Sequence, residues 1–256
     1  MSSYKPLILV VNDDGVNAPG IRALINVVKT IGKVVVVAPN KPQSGMGHAI
    51  TLDSTLHLNK VSIDDVDAYA CSGTPVDCVK IAVNKILDRK PDLIVSGINH
   101  GSNSSINVIY SGTMSAALEG ALEGIPSIGF SLLNHSIEAD FTAAQHFAKK
   151  IVLKVLANKY SKKLCLNVNI PNLKTDLIEG IKVCRQAKGN WEENYDERTD
   201  PMGRTYYWLT GKFVLEDEGT DTDEWALTNN FVSIVPVQPD VTNYQLINTI
   251  KNLENE

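Results

Sequence analysis

No stretch of about 18 or more apolar residues occurs in this chain, so nothing in it predicts a membrane span. The opening residues, Met1 to Pro6, lead into an apolar run that stops at Asp13. That run is too short for the core and cleavage site of a secretory leader, and a cytoplasmic protein is expected. Cysteine is scarce, with four residues at 71, 78, 165 and 184 and no paired spacing of the kind that holds zinc. Cys71, Cys78, Cys165 and Cys184 are read as reduced thiols in or near the core. Basic charge is lacking too: the formal net charge is -5, the pI is near 5.6, and no basic run breaks the pattern. Binding to a nucleic-acid duplex is therefore not expected. No GxGxxG follows the first apolar segment, and the acidic loop found there instead would repel a pyrophosphate, which argues against a dinucleotide-binding oxidoreductase.

What is present is a chain of 256 residues, 43% of them hydrophobic, enough for one sizeable core. Strand and helix signals alternate through the first two thirds. Strand-like runs lie at 7–12, 34–38, 92–96, 126–131 and 164–169. Between them fall helical patterns starting near Pro19, from Pro75 to about Leu87, over 113–123 and over 138–158. In the last of these, Phe141, Ala144, Ala148, Ile151, Val152 and Val155 form one apolar stripe. Residues 49–71 carry short β-like stretches. The alternation predicts an α/β fold with a doubly wound, mostly parallel, Rossmann-like sheet covered on both faces.

After Pro171 the texture changes. Trp191, Tyr195, Tyr206, Tyr207 and Trp208 stand among many acidic residues and glycines in 186–224, which suits a protruding β-hairpin or an oligomer contact. With no clean linker, 1–256 is read as a single domain, 171–240 as an elaboration on its core, and 241–256 as a C-terminal arm. Within the arm, Tyr244, Leu246, Ile247, Ile250 and Leu253 suit a short helix with one apolar stripe at 241–254. Aromatics in a charged insertion favour burial between subunits, so at least a dimer is expected.

Chemistry concentrates in four loops. The first run, Leu7 to Gly15, is a buried strand ending in Asn12, Asp13, Asp14 and a glycine. Two carboxylates at the carboxyl edge of an α/β sheet suit a hard cation such as Mg²⁺ or Mn²⁺; helix capping or an Asx turn is the competing reading. The loop Lys41 to His48 carries Ser44 just before Gly45 and Gly47, where it presents a hydroxyl to a ligand or makes a local turn bond. Ser96 to Asn103 starts where the third strand should end. Tyr110 to Ser115 runs into a helix, so Ser111, Gly112 and Thr113 either seat a phosphate together or serve as caps. Carboxylates, an amide, hydroxyls and a helix start are the parts needed for metal-assisted transfer of a phosphoryl group to water.

These residues resemble the survival-protein E (SurE) family of metal-dependent nucleotidases. The resemblance rests on NDDG at 12–15, the PxxxxSGxGH-like loop at 39–48, GTPxDCV at 73–79, SGIN at 96–99, YSGT at 110–113 followed by AALEG, and RTDPxGxxYYWLTG at 198–211. It covers essentially the whole chain. It implies a SurE-like doubly wound domain with a protruding hairpin and a C-terminal arm, assembled as a homodimer or homotetramer. It also implies one divalent cation per subunit, Mg²⁺ or Mn²⁺, held by Asp13, Asp14, Ser44 and Asn99. The implied activity is hydrolysis of nucleoside 5′-monophosphates, and of 3′-monophosphates or other small phosphomonoesters. Asp13, Asp14 and Asn99 would be catalytic, with Asn103, Ser111, Gly112, Thr113, His48 and His100 around the phosphate. The alternative is a non-catalytic, metal-dependent phospho-ligand binding protein. One departure stands out: the family loop reads GxNxGxD, whereas here Ser105 replaces the second glycine and Asn107 the acid.

His48 and His100 are also weighed as proton donors to the leaving oxygen. His57, His135 and His146 are read as surface or scaffold residues. Asp77 is expected to satisfy first-turn N–H groups of the helix after Pro75.

Overall fold

A computed structural model of the chain describes residues 5–254 except 159 and 162. Residues 1–4, part of the segment considered above as a leader, and residues 255–256 of the expected arm lie outside the described residues. Five parallel strands form the centre of a nine-stranded sheet: β1 (Leu7–Val11), β2 (Lys33–Pro39), β5 (Leu93–His100), β6 (Ser127–Leu132) and β7 (Cys165–Ile170). The segment read as short β-like stretches is an antiparallel pair, β3 (Leu58–Ile63) and β4 (Val66–Cys71), joined at Asp64 and Asp65. Beyond β7 come β11 (Phe231–Pro236), antiparallel to it, and β8 (Gly180–Val183), parallel to β11. The order across the sheet is β3-β4-β2-β1-β5-β6-β7-β11-β8.

The alternation of side chains along each strand divides the core. Ile8, Val10, Val34 and Val36 pack on one face with α1 (Pro19–Val28) and α5 (Thr142–Ala157). Leu9, Val11, Val35 and Val37 point the other way, towards α2 (Pro75–Ile81) and Ala116. Ala116 belongs to α4 (Gly112–Leu122), which a single turn, α3 (Asn107–Tyr110), precedes. Because both faces are covered, the central strands read as continuous apolar runs.

Several boundaries differ from the sequence reading. The helix expected to reach Leu87 changes at Ala82–Ile86 into a π-helical turn. The helix expected from 138 begins at Thr142, since Asp140 captures the Thr142 N–H and hydroxyl at 2.9 and 2.6 Å. The third central strand does not stop at Ser96 but continues to His100, with a register shift against β6 between Ser96 and Asn99. The arm is not a helix over 241–254: it is a run of turns ending in a 3₁₀ turn, Lys251–Glu254, and its side chains are exposed. An amphipathic segment this short needs a surface beneath its apolar stripe, and none of the described residues supplies one.

The hairpin consists of β9 (Gly189–Thr199) and β10 (Thr205–Leu215), paired from Thr205↔Thr199 to Leu215↔Gly189. Its tip is set by Asp200, whose Oδ1 accepts from the N–H groups of Met202 and Arg204. Tyr195, Tyr207, Trp208 and Leu209 are exposed along it. At its root, α6 (Asp223–Thr228) returns the chain to β11.

Candidate active site

The carboxyl ends of β1 and β5 meet the loops that follow β2 and β6, and a cleft of about 540 Å³ opens there. Asp13, Asp14, Ser44 and Asn99 all line it, as do His100, Asn103 and Ser111. Four motifs far apart in sequence thus converge at strand ends of one parallel sheet.

Asp13 is buried and Asp14 half-buried. Gly15 turns the chain at φ 98°, a conformation side chains disfavour, and its carbonyl accepts from the Asn12 side chain at 2.9 Å. The Ser44 loop is held against this turn by a bond from the Gln43 N–H to the Asp13 carbonyl, 2.7 Å. On the other side Gly112 admits close approach: a Cβ there would lie 2.6 Å from Asp13 Cβ. Thr113 donates its hydroxyl to Asp13 Oδ1 at 2.5 Å. The His100 N–H reaches Asp14 Oδ2 at 3.4 Å.

Burial pushes Asp13 up from 3.8 to about 6, helped by the neighbouring Asp14 charge and opposed by the Thr113 hydroxyl. Asp14 is raised too, by burial, with His100 opposing. No lysine or arginine among the described residues offsets the pair. No third His, Cys, Asp or Glu joins it to form a cluster among those residues, so the remaining donors are amide and hydroxyl oxygens. The Asn99 amide N–H₂ is spent on the Gly101 carbonyl, 2.9 Å away, which leaves its carbonyl oxygen as the ligating atom. An all-oxygen set carrying two uncompensated carboxylates fits a hard divalent cation and is a poor match for zinc.

Ser111 caps α4 by accepting the Met114 N–H at 3.0 Å, and it keeps its place in the cleft beside the positive end of that helix. Asn103 also lines the cleft, yet its side-chain N–H₂ donates to Ser131 at 2.8 Å and its backbone is clamped by Asn169 and Asn167. His100 packs edge-on against Phe141, and its Nδ1 is buried with no partner among the described residues.

Two expected phosphate contacts do not reach the cleft. Thr113 is fully buried behind Asp13 and does not point with Ser111 at one anion. Two residues along a helix are turned about 200° apart, so their side chains diverge. His48 bonds to Glu119 at 2.9 Å, and the buried Glu119 carboxylate also takes Lys80 at 2.6 Å. Both partners hold Glu119 below the ordinary carboxylate range. His48 ties the Ser44 loop to α4 from outside the site. Asp77 serves the helix start, exchanging bonds with Thr74 and accepting from Thr51.

Conversely, His135, Trp191, Phe213 and Glu224 line the cleft although the sequence singled out none of them for it. Trp191 and Phe213 belong to the hairpin root and Glu224 to α6, parts read only as an insertion or a subunit contact. The one hint was the Trp191 aromatic itself, which a hairpin exposed to water would not need. The departures at 105 and 107 face the same root. Ser105 adopts φ 51°, bonding to Asp223 and to the Ala187 carbonyl. Asn107 Oδ1 accepts the Trp191 indole N–H at 2.8 Å. A larger cavity of about 840 Å³ is lined by Pro6, Ile31, Pro91 and Pro126, away from every motif.

Residues 8–193 match the family model described as Survival protein SurE. The 5′-nucleotidase SurE of Flavobacterium psychrophilum is 62% identical over 250 residues, with 97% of each chain covered. That of Bacteroides fragilis is 46% identical over 256 residues, covering 99% of this chain and 100% of its own. The crystal structure of the SurE protein from Aquifex aeolicus superposes with a TM-score of 0.84 at 42% identity, over 98% of this chain and 100% of that one. With the acidic strand end, the serine loop and the helix start gathered in one cleft, and with likeness running through nearly the whole length, this chain belongs to the survival protein SurE family.

Proposed function

We propose that this protein is a metal-dependent phosphomonoesterase that hydrolyses nucleoside 5′-monophosphates, and also 3′-monophosphates, to nucleoside and phosphate. The observation that carries the reading is the uncompensated pair Asp13 and Asp14, set beside the amino end of α4 in one cleft. The relatives' shared name, 5′-nucleotidase SurE, supports the substrate class.

Asp13, Asp14, Ser44 and Asn99 would hold one Mg²⁺ or Mn²⁺ per subunit. When bound, the cation neutralises phosphate oxygens and eases attack at phosphorus. Asp13, fixed by Thr113, orients the water. Ser111, Gly112 and the positive end of α4 receive the equatorial oxygens. Water bonds to phosphorus and gives up a proton to Asp13, the bond to the nucleoside oxygen breaks, and His100, lining the cleft, supplies that oxygen's proton.

The chain acts as a single domain, with 171–240 as elaboration and the C-terminal residues as an arm, in a homodimer or homotetramer in the cytoplasm. No helix among the described residues is long and apolar enough to cross a membrane. Phosphate release from AMP, measured with EDTA and with Mg²⁺ or Mn²⁺ restored, tests the function. Metal-dependent release supports it. AMP binding without release would mark a non-catalytic phospho-ligand binding protein.

A further inference from the structure

The same cleft is also lined by residues that phosphoryl transfer does not employ. Glu224, half-buried, projects there from α6. The Ser104 hydroxyl donates to its Oε1. Asp223 fixes the mounting: Oδ1 takes the N–H groups of Glu224 and Ala187, and Oδ2 that of Ser105. Burial raises the Glu224 pKa, and no salt bridge to it occurs among the described residues. Beside it, Trp191 and Phe213 meet edge to face with ring centroids 6.0 Å apart. The Trp191 N–H is already given to Asn107, so the ring offers the cleft apolar and π surface.

Charge restricts what this wall can meet. A carboxylate repels phosphate, so Glu224 suits the neutral part of the substrate, where hydroxyl donors supply what a hydrogen-bond acceptor lacks. Distance agrees. The His100 N–H bonds Asp14 and the Ser104 hydroxyl bonds Glu224, and the four residue steps from 100 to 104 span at most about 14 Å fully extended.

We infer that Glu224 reads the ribose, accepting the free 2′,3′-diol of a nucleoside 5′-monophosphate while Trp191 and Phe213 seat the base. The inference rests on the nucleotide reading above and sharpens it: a 3′-monophosphate with its phosphate at the Asp13 and Asp14 end cannot offer Glu224 a free 2′,3′-diol, so the 5′-isomer is preferred.

Adenosine and 2′,3′-dideoxyadenosine titrated into metal-free protein by calorimetry provide the test without turnover. Wild type should favour the diol about tenfold, the worth of a charge-assisted hydrogen bond. Glu224→Leu should bring that ratio close to one, with the isosteric Glu224→Gln between the two. With Mn²⁺, Glu224→Leu should raise KM for AMP more than it lowers kcat and should narrow the preference for 5′-AMP over 3′-AMP. An unchanged ribose-to-dideoxyribose ratio in both variants overturns the assignment, as does a wild type that ignores the diol. If wild type releases no phosphate from any nucleotide, the phosphatase reading fails by itself, and the nucleoside titration still decides the role of Glu224.

Discussion

Thr113 and Asp13 form a short polar contact behind the cleft wall, a hydroxyl donated at 2.5 Å to a carboxylate that burial alone would push towards neutrality. The helix proposed to receive the phosphate therefore also lowers the pKa of this carboxylate against the effect of burial. Thr113→Val preserves shape and removes the donor. The acid limb of the kcat/KM pH profile should move to higher pH and kcat should fall. An unshifted limb would show that Asp13 does not need this bond.

The raised Asp13 pKa makes a signed prediction for the metal-free protein. The folded state binds this proton more tightly than the unfolded chain, about 6 against 3.8. Its contribution is fully present below 3.8 and is lost as pH rises through about 6, of order 3 kcal/mol across the window. In EDTA, Tm of wild type minus Tm of Asp13→Asn should therefore decrease between pH 4 and pH 7.5. Added Mn²⁺ should restore wild-type stability at the higher pH, because a ligand bound only by the folded state stabilises it. A difference that grows with pH in EDTA would contradict the burial argument.

Asp14→Asn removes a like charge from beside Asp13. The metal-free variant should fold at least as stably as wild type at pH 7.5, while metal affinity and turnover drop together. Asp13→Asn should behave alike in turnover. Wild-type rates in both variants at limiting metal would remove these carboxylates from the cation site.

Ser105 occupies a left-handed conformation at φ 51° where the family pattern has glycine, and its hydroxyl donates to the Ala187 carbonyl at 2.9 Å. Ser105→Ala keeps the strain and loses the bond, so urea unfolding should show a loss of about 1 kcal/mol. Ser105→Gly loses the same bond but relieves about 1 kcal/mol of strain and should lie within about 0.5 kcal/mol of wild type. Equal losses in the two would mean the backbone is not strained there.

Exposed Tyr195, Tyr207, Trp208 and Leu209 on the hairpin, with Tyr244, Ile247 and Ile250 on the arm, predict self-association. Sedimentation of the intact chain at micromolar concentration should show a dimer or larger species, weakened by truncation before Val241. A monomer for the intact chain would end the idea. Unchanged association after truncation would leave the hairpin as the contact.

The sequence by itself determined the layered α/β core and four of the loops at its edge. Apolar runs such as Leu7 to Val11 can only be strands buried on both faces, and polar residues that follow them must emerge at one edge of a parallel sheet. That is why the Asp13 and Asp14 pair and the loops carrying Ser44 and Asn99 were legible as neighbours at one edge, while the choice of those four residues as a cation set came from the family resemblance. The resemblance to a known family then narrowed the chemistry that the group could perform.

Tertiary structure decided which neighbours of those motifs face the cleft. His48 sits four residues from Ser44 yet turns to Glu119 on α4. Thr113 sits two from Ser111 yet faces Asp13, because helical rotation separates what the sequence places together. Glu224 and Trp191 arrive from about 120 and 84 residues away, held by Ser104 and Asn107, and no local pattern encodes such contacts. The arm shows the same limit from the other side: its apolar stripe has a helical spacing, but a helix of that length forms only where another surface covers it. Periodicity and strand ends are properties of a segment, whereas the direction of a side chain in a cleft depends on every element packed around it.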